Sequence, residues 1–117
     1  MGATPYRLRR RGEFRRVYGG GWRASGRLVV LFALGREGGS RLGITATRRT
    51  GGAVVRNRAR RRIRELARRH AAEFDALGAD IVVNVRRGCA EAPWAELEKD
   101  FIECLSRLRR RVAQRAP

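Results

Sequence analysis

Lysine is nearly missing from this chain: of its 28 basic residues only Lys99 is lysine, and the other 27 are arginine. Acids are scarce too, 11 in 117 residues, and only Glu13 and Glu37 precede Glu65. Metal-dependent hydrolysis needs clustered carboxylates, so the first half of the chain has no metal cage of its own. Histidine occurs once, as His70, which falls in the middle of a helical apolar arc and reads as a packed residue rather than a general base. Cys89 and Cys104 are too few for a disulfide framework, and without a paired CxxC or clustered histidines they make no zinc site; they read as reduced thiols. No segment approaches the ~20 apolar residues of a membrane span, and the N-terminus has no apolar run of the signal-peptide kind. A cytoplasmic location, with no membrane partner, is the expectation. No GxxxxGK[ST] loop is present, which removes the P-loop reading.

What is abundant is positive charge. The net charge is +17 and the pI about 11.8, more than solubility requires, and a compact state so charged repels itself unless counterions or a polyanion screen it. Between Gly38 and Arg64 there are nine arginines and no acid. Within that stretch Ala53-Val-Val-Arg-Asn-Arg-Ala-Arg-Arg-Arg-Ile-Arg64 sets Arg56/Arg60, Arg58/Arg62 and Arg60/Arg64 four apart, each pair opposing helix formation by about 0.2–0.5 kcal/mol. Phosphate is the natural compensation. Arginine binds it bidentately and also stacks on bases, which suits RNA, while a GC-rich genome equally accounts for the choice of arginine over lysine; the charge itself points to a nucleic acid.

The chain is long enough for one domain with its own core and too short for two, so residues 1–117 are read as one domain, with a basic arm over 1–11 and a frayed tail over 113–117. Phe14, Val17 and Tyr18 at i, i+3 and i+4 predict a short amphipathic helix, stopped by Gly19-Gly-Gly21. Arg27–Leu34 predicts a strand with Leu28, Val30, Phe32 and Leu34 on one face and Val29, Leu31 and Ala33 on the other. A second strand, about residues 41–48, is expected to pair with it as an antiparallel hairpin across Gly35–Ser40. Val55, Ala59, Ile63, Leu66, Ala67, His70 and Phe74 share one arc of a long helix, roughly 53–75. Ala79–Val85 is a third strand. From Pro93 onward, Trp94, Leu97, Phe101, Leu105, Leu108 and Val112 form the stripe of a last helix. The order α-β-β-α-β-α describes an α+β two-layer sandwich, a small sheet with helices packed on it.

On the main helix Asn57, Arg58, Arg61, Arg64 and Arg68 project opposite the apolar arc or flank it, where a rigid backbone can present them to phosphates. Arg56 and Arg60 project into the arc. Guanidinium groups do not enter a core unpaired, so the first turns must overhang the sheet or border a polar cleft. The helix N-terminus, preceded by Gly51-Gly52, also favours an anion. Phe14, Tyr18 and Phe32 can line a groove for stacked bases, or simply form core.

These residues resemble the protein subunit of bacterial ribonuclease P over nearly the full length. Arg41-Leu-Gly-Ile-Thr-Ala-Thr-Arg-Arg-Thr-Gly-Gly-Ala-Val-Val-Arg-Asn-Arg-Ala-Arg-Arg-Arg-Ile-Arg-Glu65 is similar to that family's strand, turn and RNR helix, Arg9–Tyr18 to its opening helix, and Ala79–Arg86 to its later strand. The resemblance implies a ribosomal-protein-like fold with the RNR helix in a left-handed βαβ crossover. It also implies binding of the catalytic RNA through Arg56, Asn57, Arg58, Arg60, Arg61 and Arg64. The 5′ leader of precursor tRNA would lie in a cleft of Phe14, Tyr18, Val30, Phe32 and Thr45, with Arg48 and Arg49 at its edge. Cleavage would be carried out by the RNA with magnesium that the RNA mainly binds; the protein would supply no catalytic residue and no metal ligand, would be inactive alone, and would need no obligate protein partner. Tyr18 stands where phenylalanine is common, Phe32 where tyrosine also occurs, Arg48 and Arg49 where lysines are usual, and Gly52 where asparagine is frequent. A structural RNA-binding protein, such as a ribosomal protein, is the alternative that composition alone would favour.

Overall fold

A computed structural model of the chain describes residues 6–115. Its elements are β1 (Tyr6–Arg7), α1 (Arg11–Gly20), β2 (Trp22–Ser25), β3 (Val29–Gly35), β4 (Arg41–Thr45), α2 (Ala53–Arg69), α3 (Ala71–Ala76), β5 (Ala79–Val85) and α4 (Trp94–Arg115). The strands form one sheet in the order β1-β4-β5-β3-β2.

The central place of β5 follows from its sequence. Alternation predicts one apolar face, yet Asp80 and Val82 are buried along with Ile81, Val83 and Val85, and a strand covered on both faces belongs inside a sheet. The expected hairpin of β3 and β4 is therefore corrected: β5 lies between them, antiparallel to β3 and parallel to β4. The linker across residues 36–40 can straddle two strand spacings, roughly 10 Å. The parallel β4–β5 pair is joined through α2 and α3, as a βαβ crossover requires.

Within the basic arm expected over residues 1–11, Tyr6–Arg7 pairs in parallel with β4, the Leu8 amide donates to the Leu42 carbonyl at 2.8 Å, and Leu8 is buried; residues 1–5 lie outside the described part. Trp22–Ser25, to which the sequence pattern assigns no element, is β2, antiparallel to β3. The helix of 53–75 breaks at His70, whose backbone (φ −110°, ψ 37°) ends α2 and opens α3 while its ring holds Glu98 of α4 at 2.8 Å. Helix α4 runs to Arg115, into the segment 113–117 expected to be a frayed tail, and residues 116–117 lie outside the described part.

The principal core fills the space between one sheet face and α2, α3 and α4. Val29, Leu31 and Ala33 of β3 meet Ile63, Leu66, Phe74, Leu97, Phe101, Leu105 and Leu108 there. Each such large side chain contributes about 1.5–3 kcal/mol through burial. A smaller cluster of Leu8, Val17 and Val82, with Phe14, Phe32 and Leu34 against it, lies on the opposite face beneath α1. Asp100 of α4 anchors the β2–β3 turn, its carboxylate accepting the amides of Arg27, Leu28 and Val29 at 3.1, 2.8 and 3.1 Å.

Candidate nucleic-acid interface

The start of α2 has no side-chain cap and no acid in its first turn. Its first N–H groups are thus left to solvent or an anion. Gly51, at φ +146°, shapes the entry; a Cβ there would meet the Val55 side chain at 2.7 Å. From this end Asn57, Arg58 and Arg61 are exposed, while Arg56, Arg60 and Arg64 are half-buried. Arg60 donates to Asn57 Oδ1 at 3.2 Å. Arg56 Nε is buried without a partner.

The conflict posed by Arg56 and Arg60 is resolved for Arg60 by the edge of the sheet. Arg60 and Arg64 line a cavity of about 140 Å³ with Arg7, Leu8, Phe14, Leu42 and Ile44. Burial, together with the charges of Arg7, Arg60 and Arg61, pushes the Arg64 guanidinium below its usual pKa. Arg62 turns inward instead. It donates to the carbonyls of Cys89 and Ala92 at 2.6 and 2.7 Å and lies 5.5 Å from the Trp94 ring centroid, with Arg69 at 5.1 Å, so it clamps the start of α4 to α2. Farther along, Glu65 pairs with Arg68 and Arg69, which hold its carboxyl down to about 2.

Phe14, Tyr18, Val30, Phe32 and Thr45 converge on the sheet face that carries α1. Tyr18 meets Phe32 edge-on, with centroids 4.8 Å apart. The Tyr18 hydroxyl donates to Asn84 Oδ1 at 2.7 Å and lies 2.8 Å from Thr45 Oγ1. Tyr18 remains 39% exposed, enough to offer its ring to a ligand. Gly43 makes room for the aromatic row, because a Cβ there would sit 2.8 Å from the Phe14 ring. Helix α1 is held in place by charge. Glu13 accepts the amides of Arg9 and Arg10 at 3.1 and 3.0 Å, bonds that lower its pKa, and pairs with Arg41 at 3.3 Å. Arg41 in turn grips buried Asp80 through two bonds of 2.7 Å, which raise the Arg41 pKa.

Arg48 and Arg49 follow β4 in an exposed turn and line an open basic cavity of about 750 Å³ with Arg27, Arg86 and Arg87, over Thr47, Thr50 and Val85. Sequence reasoning missed Arg7, Arg27, Asn84, Arg86 and Arg87. The Arg86-Arg87 pair directly after a core strand was the available signal; Arg7 and Arg27 become visible only once β1 and the β2–β3 turn are placed.

Among the described residues no group of three His, Cys, Asp or Glu side chains could hold a metal ion, and no helix is long and apolar enough to cross a membrane. Cys89 and Cys104 are buried free thiols, pushed up to about 11 chiefly by desolvation.

The model of the Ribonuclease P family matches residues 3–109. The Ribonuclease P protein component of Gluconacetobacter diazotrophicus is 39% identical over 103 residues, covering 86% of this chain and 89% of that protein. The component from Bacillus cereus (strain AH187) is 34% identical over 104 residues, covering 87% and 90%. Among solved structures, the RNase P protein of Staphylococcus aureus superposes with a TM-score of 0.77 at 26% identity, over 86% of this chain and 93% of that one. The Thermotoga maritima RNase P protein gives 0.75 at 27%, over 89% and 96%. With the basic helix, the aromatic cleft and the fold all in place, the chain belongs to the ribonuclease P protein family, the protein subunit of the ribonucleoprotein that removes the 5′ leader from precursor tRNA.

Proposed function

We propose that this protein binds the catalytic RNA of ribonuclease P through Arg56, Asn57, Arg58, Arg60, Arg61 and Arg64, and takes the 5′ leader of precursor tRNA into the cleft of Phe14, Tyr18, Val30, Phe32 and Thr45. One observation carries the reading: Phe14 of the cleft and Arg60 and Arg64 of the helix line the same cavity, so the two surfaces are continuous. A base in the cleft stacks on Tyr18 and Phe32, each stacked base contributing about 1–3 kcal/mol. Arg48 and Arg49, with Arg27, Arg86 and Arg87 opposite, attract the leader's phosphates where it leaves the sheet.

Bond cleavage belongs to the RNA, in the cytoplasm, and the protein alone is inactive. Magnesium is held mainly by the RNA: the described side chains do not fit a protein-bound ion, since their carboxylates are dispersed in separate ion pairs rather than gathered. The protein raises substrate affinity and screens repulsion between the two RNAs, which lowers the magnesium the holoenzyme needs.

The test is cleavage of a precursor tRNA at low magnesium by the cognate ribonuclease P RNA, with and without the protein, beside a protein-only control. Activation of an otherwise nearly silent RNA, with nothing from protein alone, is expected. No activation by folded protein, on an RNA active at high magnesium, would leave a structural RNA binder as the better reading.

A further inference from the structure

The two-residue strand β1 is short for its own sake, yet it is fixed in place by the bond from the Leu8 amide to the Leu42 carbonyl and by the burial of Leu8. Its register pairs Arg7 with Leu42. Paired residues of neighbouring strands point to the same face, so Arg7 shares the face of Leu42, which packs in the core beneath α2. Leu8 points the other way, into the cluster beneath α1. The cavity at this edge therefore wraps around the sheet, with Arg7, Leu42, Ile44, Arg60 and Arg64 on one side and Leu8 and Phe14 on the other.

We propose that this cavity is a phosphate subsite in which Arg7 joins Arg60 and Arg64 around one phosphodiester of an RNA strand, with the adjoining sugar against Leu8, Phe14 and Ile44. The proposal rests on the RNA-binding role above and adds a contact from outside α2. Three observations support it. Arg7, Arg60 and Arg64 converge with no carboxylate in ion-pair contact among the described residues, whereas nearby Arg41 has both Asp80 and Glu13. The repulsion is felt at Arg64, where burial and the charge of Arg7 disfavour the charged form. The volume, about 140 Å³, is several times the ~30 Å³ share of one water, enough for a phosphate and part of a sugar but not a duplex. An RNA strand held there passes around the edge of the sheet from α2 to the aromatic cleft.

The test compares Arg7→Gln with Arg110→Gln, an equal loss of charge on the exposed side of α4. Affinity for ribonuclease P RNA is measured between 50 and 200 mM salt, and thermal midpoints at low salt with and without inorganic phosphate. Arg7→Gln is expected to bind about tenfold more weakly at low salt, with a salt slope shallower by about 0.7–0.9. Its midpoint without phosphate should equal or exceed that of the wild type, and its gain from phosphate should be smaller. Arg110→Gln should match the wild type in slope and in phosphate gain. A lowered midpoint for Arg7→Gln without phosphate, or slopes equal to the wild type, would overturn the subsite. If the wild-type protein instead bound an unrelated RNA as well as ribonuclease P RNA, the RNA assignment would fail, while the phosphate comparison would still judge the cavity.

Discussion

Replacing Arg58 and Arg61 together with alanine separates RNA binding from folding. Both side chains are exposed, and neither makes a hydrogen bond or ion pair among the described residues. Their removal relieves like-charge contacts with Arg62 and Arg64 at helical spacing, each opposing the helix by about 0.2–0.5 kcal/mol, and alanine is at least as good a helix former. The free variant should therefore be as stable as the wild type or more stable by about 0.5 kcal/mol at low salt. Binding should move the other way. If each arginine neutralises one phosphate, the log–log salt slope falls by about 1.4 on single-stranded RNA and about 1.8 on duplex. Between 50 and 200 mM salt the wild type then loses roughly 7- to 12-fold more affinity than the variant, so a large gap at low salt closes as salt rises. Filter binding or fluorescence anisotropy on ribonuclease P RNA across that range measures it, with a denaturant melt as the folding control. An unchanged slope in a folded variant would refute the assignment of this face.

The cleft gives two tests by substitution. Tyr18→Phe loses the hydroxyl bonds to Asn84 and Thr45, so it should cost about 1 kcal/mol of stability while keeping the preference for leader-bearing over mature tRNA; Tyr18→Ala should lose that preference, and equal loss on both substrates would mark Tyr18 as packing alone. Gly43→Ala drives a methyl to 2.8 Å from the Phe14 ring, and should cost about 1–3 kcal/mol in a urea melt; an unchanged midpoint would show that α1 is free to shift. Asp100→Ala leaves three amides of the β2–β3 turn without their acceptor, with an expected loss of about 3 kcal/mol and little change in RNA affinity. The thiols set an alkaline limit: their folded pKa is raised to about 11, so the unfolded chain releases those protons first, and the contribution, fully present below pH 9, is lost as pH rises toward 11. Denaturant midpoints at pH 8 and pH 10 should differ in that direction, and by less in Cys89→Ala.

The helices and the parity of the strands were legible because they depend on short-range spacing. Phe14, Val17 and Tyr18 mark α1, and the alternation along β3 assigns its two faces correctly. Strand order was not legible, since which strand lies next to which depends on which can be covered on both sides; the signal was the near-continuous apolar run of β5. Edge strands as short as Tyr6–Arg7 carry no period at all, and their pairing is imposed by β4. The break at His70 is likewise tertiary, for the apolar arc runs through it and only the placement of Glu98 on α4 accounts for the ring. At the site, the projection of Arg60 into the apolar arc was the most useful anomaly, and the cavity at the sheet edge is its physical resolution. The residues that were missed line surfaces assembled from separate parts of the chain, as Arg27 and Arg86 do beside the expected Arg48.

A chain with net charge +17 still has to fold, and the distribution of its few acids shows how. Asp80 and Glu13 pin Arg41 and orient α1; Asp100 holds the β2–β3 turn; Glu98 meets His70 at the α2–α3 break; Glu96 takes Arg27. Each joins two elements of the fold. Along α2 the first acid is Glu65, and it pairs toward the C-terminal end with Arg68 and Arg69. Arg58, Arg61, Arg64 and, across the edge, Arg7 are left without carboxylates among the described residues. Had the acids been scattered evenly, each would have cancelled an arginine on the binding face and the sheet would have lost its electrostatic anchors. Concentrating them at the joints lets the acids and the apolar core hold the architecture, while repulsion along α2 stays unrelieved in the free protein and becomes binding free energy when phosphate arrives.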